Sequence, residues 1–103
     1  MNINVTARHF EMTDDLREHA IHRLEKVERF GHSLLNAHVV LDVEKTRQIA
    51  EVSVHGQHST FTARSESHDM MQSIDDACDK VQTQIKRHTD KAREHRALPD
   101  AAG

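Results

Sequence analysis

The sequence predicts an α+β fold, a βαβββα two-layer sandwich in which two helices cover one face of a four-stranded sheet. Two observations support this prediction. Apolar and polar residues alternate with a period of two in four short segments, and apolar residues recur every three or four positions in two longer segments. The order of these segments along the 103 residues is βαβββα. A chain of this length has room for one domain.

The N-terminal third predicts the first strand and the first helix. Residues 3–8 alternate as in a half-buried strand. Thr13 is a good N-cap, and acidic residues at 14 and 15 complement the helix dipole in the first turn. An apolar stripe from Leu16 to Val27 then indicates a helix over about 14–30. Gly31 is expected to end it as a left-handed C-cap.

Three more strands are predicted in the middle of the chain. Residues 38–44, 50–55 and 60–64 alternate again, with short connections between them. These segments form a meander. Because a helix separates the first and second strands, that pair can be parallel with a right-handed crossover.

The C-terminal third predicts one long helix. Ser67 and Asp69 offer N-cap chemistry, and apolar residues recur at helical spacing from Met70 to Ala92. The register indicates a helix over about 69–95, roughly 40 Å long at 1.5 Å per residue. We therefore expect a domain at residues 1–96 and a flexible C-terminal tail at 97–103.

Composition and charge exclude several classes of protein. No apolar run reaches the roughly 18 residues that a membrane helix needs. A single cysteine, Cys78, cannot form an internal disulfide, and the N-terminus does not look like a secretory signal. We expect a soluble cytoplasmic protein without a membrane partner. The formal net charge of −3 does not indicate whether the protein binds a polyanion, since ten histidines titrate near neutral pH.

The placement of charge on the helices is more informative than its sum. The basic flank of the first helix consists of His19, His22, Arg23, Lys26 and Arg29, whereas its acids lie mainly on another flank. The long helix carries a stripe of Lys80, Gln84, Arg87 and Lys91 at i, i+4, i+7 and i+11. If the helices pack side by side, the two basic flanks would line one groove that suits a nucleic-acid backbone. The alternative is that these are ordinary exposed side chains.

Other kinds of site are poorly supported. The histidine pairs at 19 and 22 and at 55 and 58 do not form the His-Glu-x-x-His sequence of a metal site. Solvated histidines are therefore the better interpretation. Cys78 lies in the apolar stripe and is expected in the core. No glycine-rich phosphate loop is present, and Phe61 is the single strand aromatic, which argues against a base-stacking sheet. We predict no metal, no cofactor and no enzymatic activity.

Several segments, taken in order, resemble the ribosome hibernation-promoting factor family, which includes the ribosome-associated inhibitor A and often carries the label "sigma-54 modulation protein". The resemblance covers roughly residues 1–95. Its N-terminal segments are residues 2–9 (NINVTARH), 12–17 (MTDDLR) and 23–28 (RLEKVE), and its later segments are 38–41 (HVVL), 43–45 (VEK), 68–70 (HDM), 74–75 (ID) and 79–80 (DK).

The resemblance implies a non-enzymatic factor that binds the small (30S) ribosomal subunit under stress or in stationary phase. It would contact 16S rRNA in the channel for mRNA and tRNA and silence translation, with a ribosome-dimerising factor as a further partner. The chain resembles the short form, so we expect a monomer off the ribosome. Residues at matching basic positions are Arg23, Lys26, Arg29, Lys80 and Arg87. Thr83 replaces a common arginine, and Met71 replaces a common tyrosine.

Two hypotheses remain open from the sequence. The first is the ribosome-binding silencer, with Lys91 and His22 added to the RNA-binding residues. The second is a protein-interaction module that modulates a transcription or stress regulator. A further expectation is that phosphates near His19 and His22 favour the charged imidazoles, so RNA affinity rises as pH falls.

Overall fold

The computed structural model describes the backbone of residues 1–102 and the side chains of residues 1–89. It confirms the predicted βαβββα order. The elements are β1 (Asn2–Arg8), α1 (Asp14–Glu28), β2 (Leu34–Glu44), β3 (Arg47–Gly56), β4 (Thr60–Ser67) and α2 (Met70–Ala102). α2 continues to Ala102, past the predicted end at about 95. The division into a domain at 1–96 and a tail at 97–103 stays a prediction.

The four strands form one sheet in the order β1-β2-β3-β4, so β1 and β4 are its edges. β1 pairs with β2 in parallel, with Val5 opposite Val39. The β2–β3 and β3–β4 pairs are antiparallel. The parallel pair joined through α1 and the three-stranded meander are both as predicted.

Both helices pack on one face of this sheet and close a single core. The apolar stripe of α1 buries Leu24 and Val27 completely, and the stripe of α2 buries Ile74, Val81 and Ile85. The sheet contributes alternate residues to the same core, among them Val39, Leu41, Val52 and Val54. Each fully buried aliphatic side chain stabilises the fold by roughly 1.5–3 kcal/mol. Within the described residues, neither helix has a stretch apolar and long enough to cross a bilayer.

The two ends of α1 differ in how well they were predicted. Thr13 caps the N-terminus as expected, with its Oγ1 accepting from the backbone N–H of Leu16 at 3.3 Å. The left-handed C-cap at Gly31 is wrong. α1 ends instead at Arg29 in a right-handed conformation, and the backbone N–H groups of Arg29 and Phe30 donate to carbonyls three residues earlier. This tightened last turn satisfies the terminal carbonyls without a left-handed residue.

Cys78 lies in the core, as expected from the apolar stripe. Burial raises the pKa of its thiol to about 11. Because the thiolate is the reactive form, we expect native Cys78 to react with Ellman's reagent at pH 8 about 100-fold more slowly than a free cysteine. Stopped-flow absorbance checks this, with protein unfolded in denaturant as the control. Equal rates in the native and unfolded protein would contradict the buried position.

A hydrogen bond at the end of β1 makes one contribution to stability depend on pH. The His9 ring hydrogen-bonds through Nδ1 to the Asp42 carboxylate at 2.8 Å and thereby lowers the pKa of Asp42; the backbone N–H of Val43 adds to the effect. A carboxyl with a lowered pKa stabilises the fold fully above its unfolded pKa, near 4, and loses this contribution as pH falls through the folded pKa.

We therefore expect the unfolding free energies of the wild type and Asp42→Asn to converge as pH falls from 5 to 2. Urea titrations at each pH measure the difference. Glu51→Gln, on the same face of the sheet, is the control. A difference that does not change with pH would show that the carboxylate of Asp42 has no special partner.

Candidate nucleic-acid interface

Charge is separated along residues 70–89 of α2 as well as around the helix. Residues 70–79 contain three aspartates and no Lys or Arg, whereas residues 80–89 contain three Lys or Arg and no acid. This direction matches the helix dipole, which favours acids near the N-terminus and cations toward the C-terminus. The second half of the described part of α2 is therefore its basic part.

α1 and α2 run parallel, and contacts between them fix how their charges are placed. Arg23 reaches Asp75 and Asp79, while further along both helices Thr89 Oγ1 donates to the Phe30 carbonyl at 3.2 Å. Later residues of α1 therefore meet later residues of α2. The C-terminal half of α1 and the basic part of α2 lie side by side.

Arg23 is held between the helices by two carboxylates. Its Nε lies 3.3 Å from the Asp75 carboxylate atom Oδ1. Its Nη2 donates both to the Asp79 carboxylate and to the backbone carbonyl of Asp75, the latter at 3.3 Å. Burial alone would lower the pKa of this guanidinium, but the hydrogen bond and the charge of Asp79 raise it above its ordinary value. Arg23 is thus a charged clamp that joins α1 to α2, and it is mostly buried.

His19 takes part in the same contact. Its Nε2 lies 2.8 Å from Asp75 Oδ1, and the ring is partly buried. A carboxylate of the protein is therefore its partner in this structure. The pH-dependent contact of His19 and His22 with RNA stays a prediction, and His22 has the more exposed side chain of the two.

The predicted single groove between two basic flanks is wrong. The flank of α2 that meets α1 carries Asp75 and Asp79. Lys80 and Gln84 lie on the other flank and cover the outer edge of β4. Lys80 Nζ donates to the Arg64 carbonyl at 3.0 Å, and Gln84 Nε2 donates to the Thr62 carbonyl at 2.8 Å. These two side chains satisfy carbonyl groups that an edge strand would otherwise present to another chain.

The exposed cations that remain lie on adjoining parts of the two helices, between the level of the Arg23 clamp and the level of the Thr89–Phe30 contact. We call this set the basic patch, and it consists of His22, Lys26, Arg29, Lys86 and Arg87. Among residues 1–89, no carboxylate lies within ion-pair distance of these side chains. Such a surface can neutralise several phosphates of a nucleic-acid backbone.

The structure thus divides the residues predicted to bind RNA. It brings His22, Lys26, Arg29 and Arg87 together in the basic patch, holds Arg23 in the clamp, and directs Lys80 to β4 while leaving its side chain exposed. The side chain of Lys91 lies outside the described residues. Contact of these residues with RNA stays a prediction.

Sequence reasoning missed two residues of this surface. Lys86 is not among the residues predicted to bind RNA, although the acid-free run at 80–89 is a signal that would have found it. Phe30 is not included either, and 40% of this residue is exposed beside Arg29. An exposed aromatic ring among cations can stack on an unpaired base. No group of three or more metal-ligating side chains occurs among the residues that the structure describes.

Comparison with known proteins identifies the family. Residues 3–93 match the family described as "Sigma 54 modulation protein / S30EA ribosomal protein". The ribosome hibernation promoting factor of Salmonella typhimurium is 34% identical over 95 residues, which cover 92% of this chain and 100% of that protein. The factor of the same name from Escherichia coli K12 is 32% identical with the same coverage.

Solved structures agree with this match. A ribosomal subunit interface protein from Coxiella burnetii superposes with a TM-score of 0.76 at 25% identity, over 86% of this chain and 98% of that one. The N-terminal domain of Thermus thermophilus Protein Y superposes with a TM-score of 0.78 at 30% identity, over 85% and 99%. The fold, the family match over most of the chain and the relatives at 32–34% identity lead to one conclusion. This chain belongs to the Sigma 54 modulation protein / S30EA ribosomal protein family.

Proposed function

We propose that the protein binds the small ribosomal subunit, contacts 16S rRNA in the channel for mRNA and tRNA, and silences translation under stress or in stationary phase. The observation that carries this proposal is the basic patch. Ribosome hibernation promoting factors that match most of the chain support the same role. The proposal places the protein in the cytoplasm, with the ribosome as its partner.

The other surfaces of the protein favour this patch as the RNA-binding side. Of the three arginines on the strands, two are paired with acids: Arg47 binds Glu44 and Glu66, and Arg64 lies 3.6 Å from Glu66. Asp42 and Glu51 add negative charge to the open face of the sheet. A phosphate backbone is therefore attracted to the helical side and repelled from the open face.

The acidic halves of the helices would set the orientation of the protein on RNA. Asp14, Asp15 and Glu18 lie in the first half of α1, and the first ten residues of α2 contain three aspartates. Since the helices are parallel, these acids share one end of the helical layer. RNA bound to the basic patch would run away from that end, because like charges repel.

Sedimentation through a sucrose gradient tests the proposal. Purified protein mixed with ribosomes at low salt is expected in the 30S and 70S fractions. Protein that stays at the top of the gradient would contradict the proposal and favour the alternative, a module that modulates a transcription or stress regulator.

Thr83 offers a gain-of-function prediction. Its side chain is exposed on α2 between the Arg23 clamp and Lys86, and its hydroxyl donates to the Asp79 carbonyl one turn earlier at 2.9 Å. We expect Thr83→Arg to add one phosphate contact and to steepen the dependence of log affinity on log salt by about 0.7–0.9. Fluorescence anisotropy with labelled protein and 30S subunits measures this slope. Thr62→Arg, which puts the same charge on the open face of the sheet, should leave it unchanged; an equal effect of both variants would contradict the assigned surface.

A further inference from the structure

A cleft of about 260 Å³ lies beside the basic patch, at one end of the sheet. Three segments of the chain form its walls. They are the loop after α1 (Gly31–Leu34), the β3–β4 turn (Gly56–Ser59) and the part of α2 from Ile85 to Thr89, with Phe61 below. The clamp and the patch do not use this space.

The walls of the cleft are held in place by a backbone hydrogen bond and by close packing of the loop after α1 on α2. The Gln57 N–H donates to the Ser33 carbonyl at 3.0 Å and ties the β3–β4 turn to the loop after α1. Gly31 packs so closely on α2 that a Cβ there would lie 2.8 Å from Ile85 Cγ2. Because the cleft is already formed in the free protein, a ligand would lose little free energy in ordering it.

The lining of the cleft suits a flat aromatic ring. Its apolar part comes from Leu34, Phe61 and Ile85. The His88 ring packs edge-on against Phe61 with the ring centres 5.5 Å apart, and its Nε2 lies 3.4 Å from Ser59 Oγ. His88 is nevertheless exposed, so it can stack on a ligand. Unpaired RNA bases are recognised by stacking on such rings and by hydrogen bonds to their edges.

Size and neighbouring charge narrow the choice of ligand. The volume of the cleft is slightly below the roughly 300–1,000 Å³ of sites for drug-sized molecules. A cleft of this size fits one planar ring system. Arg87 directly precedes His88, and Arg29 directly precedes Phe30, whose carbonyl is bound by Thr89 of the cleft. A nucleotide whose phosphate contacts the basic patch would thus have its base next to the cleft.

We propose that the cleft receives one unpaired RNA base while the basic patch binds the adjoining phosphates. This inference rests on the proposed function, since it assigns a second contact to the same RNA.

Titration of ¹⁵N-labelled full-length protein with the four ribonucleoside 5′-monophosphates tests this directly. Ribose 5-phosphate is the matched control, because it has the sugar and the phosphate without the base. We expect the nucleotides to shift the amide signals of Gly31, Gln57, Ser59 and His88, and ribose 5-phosphate to leave these signals in place. His88→Ala should weaken nucleotide binding at least fivefold, as expected for the loss of one stacking contact.

Three results would overturn the base site: no shift at the cleft, equal shifts with ribose 5-phosphate, or unchanged binding by a folded His88→Ala variant. If the His88→Ala variant does not fold, the titration of the wild type alone decides whether the cleft binds a base. The test is also separate from the ribosome experiment. Protein that sediments with 30S subunits but shows no cleft shifts contradicts the base site alone, whereas cleft shifts without sedimentation contradict the proposed function alone.

Discussion

Replacing Lys26, Arg29 and Arg87 together by alanine is expected to flatten the salt dependence of 30S binding by about two to three units. Each of these exposed cations is assigned one phosphate, and each phosphate contact contributes roughly 0.7–0.9 to the slope of log affinity against log salt. Between 50 mM and 200 mM salt, the wild type should therefore lose roughly 20- to 40-fold more affinity than the variant. Anisotropy titrations at four salt concentrations measure both slopes.

The control for this experiment is Arg17→Ala. Arg17 is also exposed on α1, but it lies in the acidic half of the helix, on the flank turned away from α2. Its removal should leave the slope unchanged. If Arg17→Ala flattens the slope as much as a single replacement in the basic patch, binding depends on overall charge and the patch is not the interface.

Arg23→Ala is expected to destabilise the fold rather than to change the salt slope. The guanidinium joins α1 to α2 through Asp75 and Asp79, and its side chain is 21% exposed. Removing it leaves the largely exposed Asp79 without its partner and Asp75 with His19 alone, which should lower the free energy of unfolding by about 1–2 kcal/mol. Urea denaturation followed by circular dichroism measures this loss.

A double-mutant cycle with Asp79→Ala separates the ion pair from other effects of Arg23. The double variant should be less destabilised than the sum of the two single variants, because both single replacements break the same contact. Arg23→Ala should also keep the wild-type salt slope. A flattened slope with unchanged stability would show instead that Arg23 contacts phosphate, as its position in the family resemblance implies.

The elements and the core were predictable because they depend on local periodicity. The stripe from Leu16 to Val27 and the alternation around Val39 each indicate which residues face the core, without knowledge of any distant partner. The end of α1 was harder. Gly31 looked like a cap from its position, but its role is to allow close contact with Ile85, which is 54 positions away in the sequence.

The candidate site was only partly predictable for the same reason. A helical wheel places Arg23 with Lys26 and places Lys80 with Arg87, since it describes one helix at a time. The partners that separate them, Asp79 and the β4 carbonyls, become visible only when the helices and the sheet are assembled. Conversely, Lys86 joins the basic patch because the helices run parallel, although the acid-free run at 80–89 already indicates that this part of α2 is basic.

Competition with mRNA on the 30S subunit tests the central claim most directly. Subunits carrying a fluorescent mRNA are titrated with the protein, and mRNA retention is followed by filter binding. If the protein occupies the channel, mRNA should be lost as the protein binds, and a large excess of mRNA should release the protein; the Lys26, Arg29 and Arg87 triple variant should displace mRNA only at higher concentration. A stable complex that holds mRNA and the protein at the same time would contradict binding in the channel.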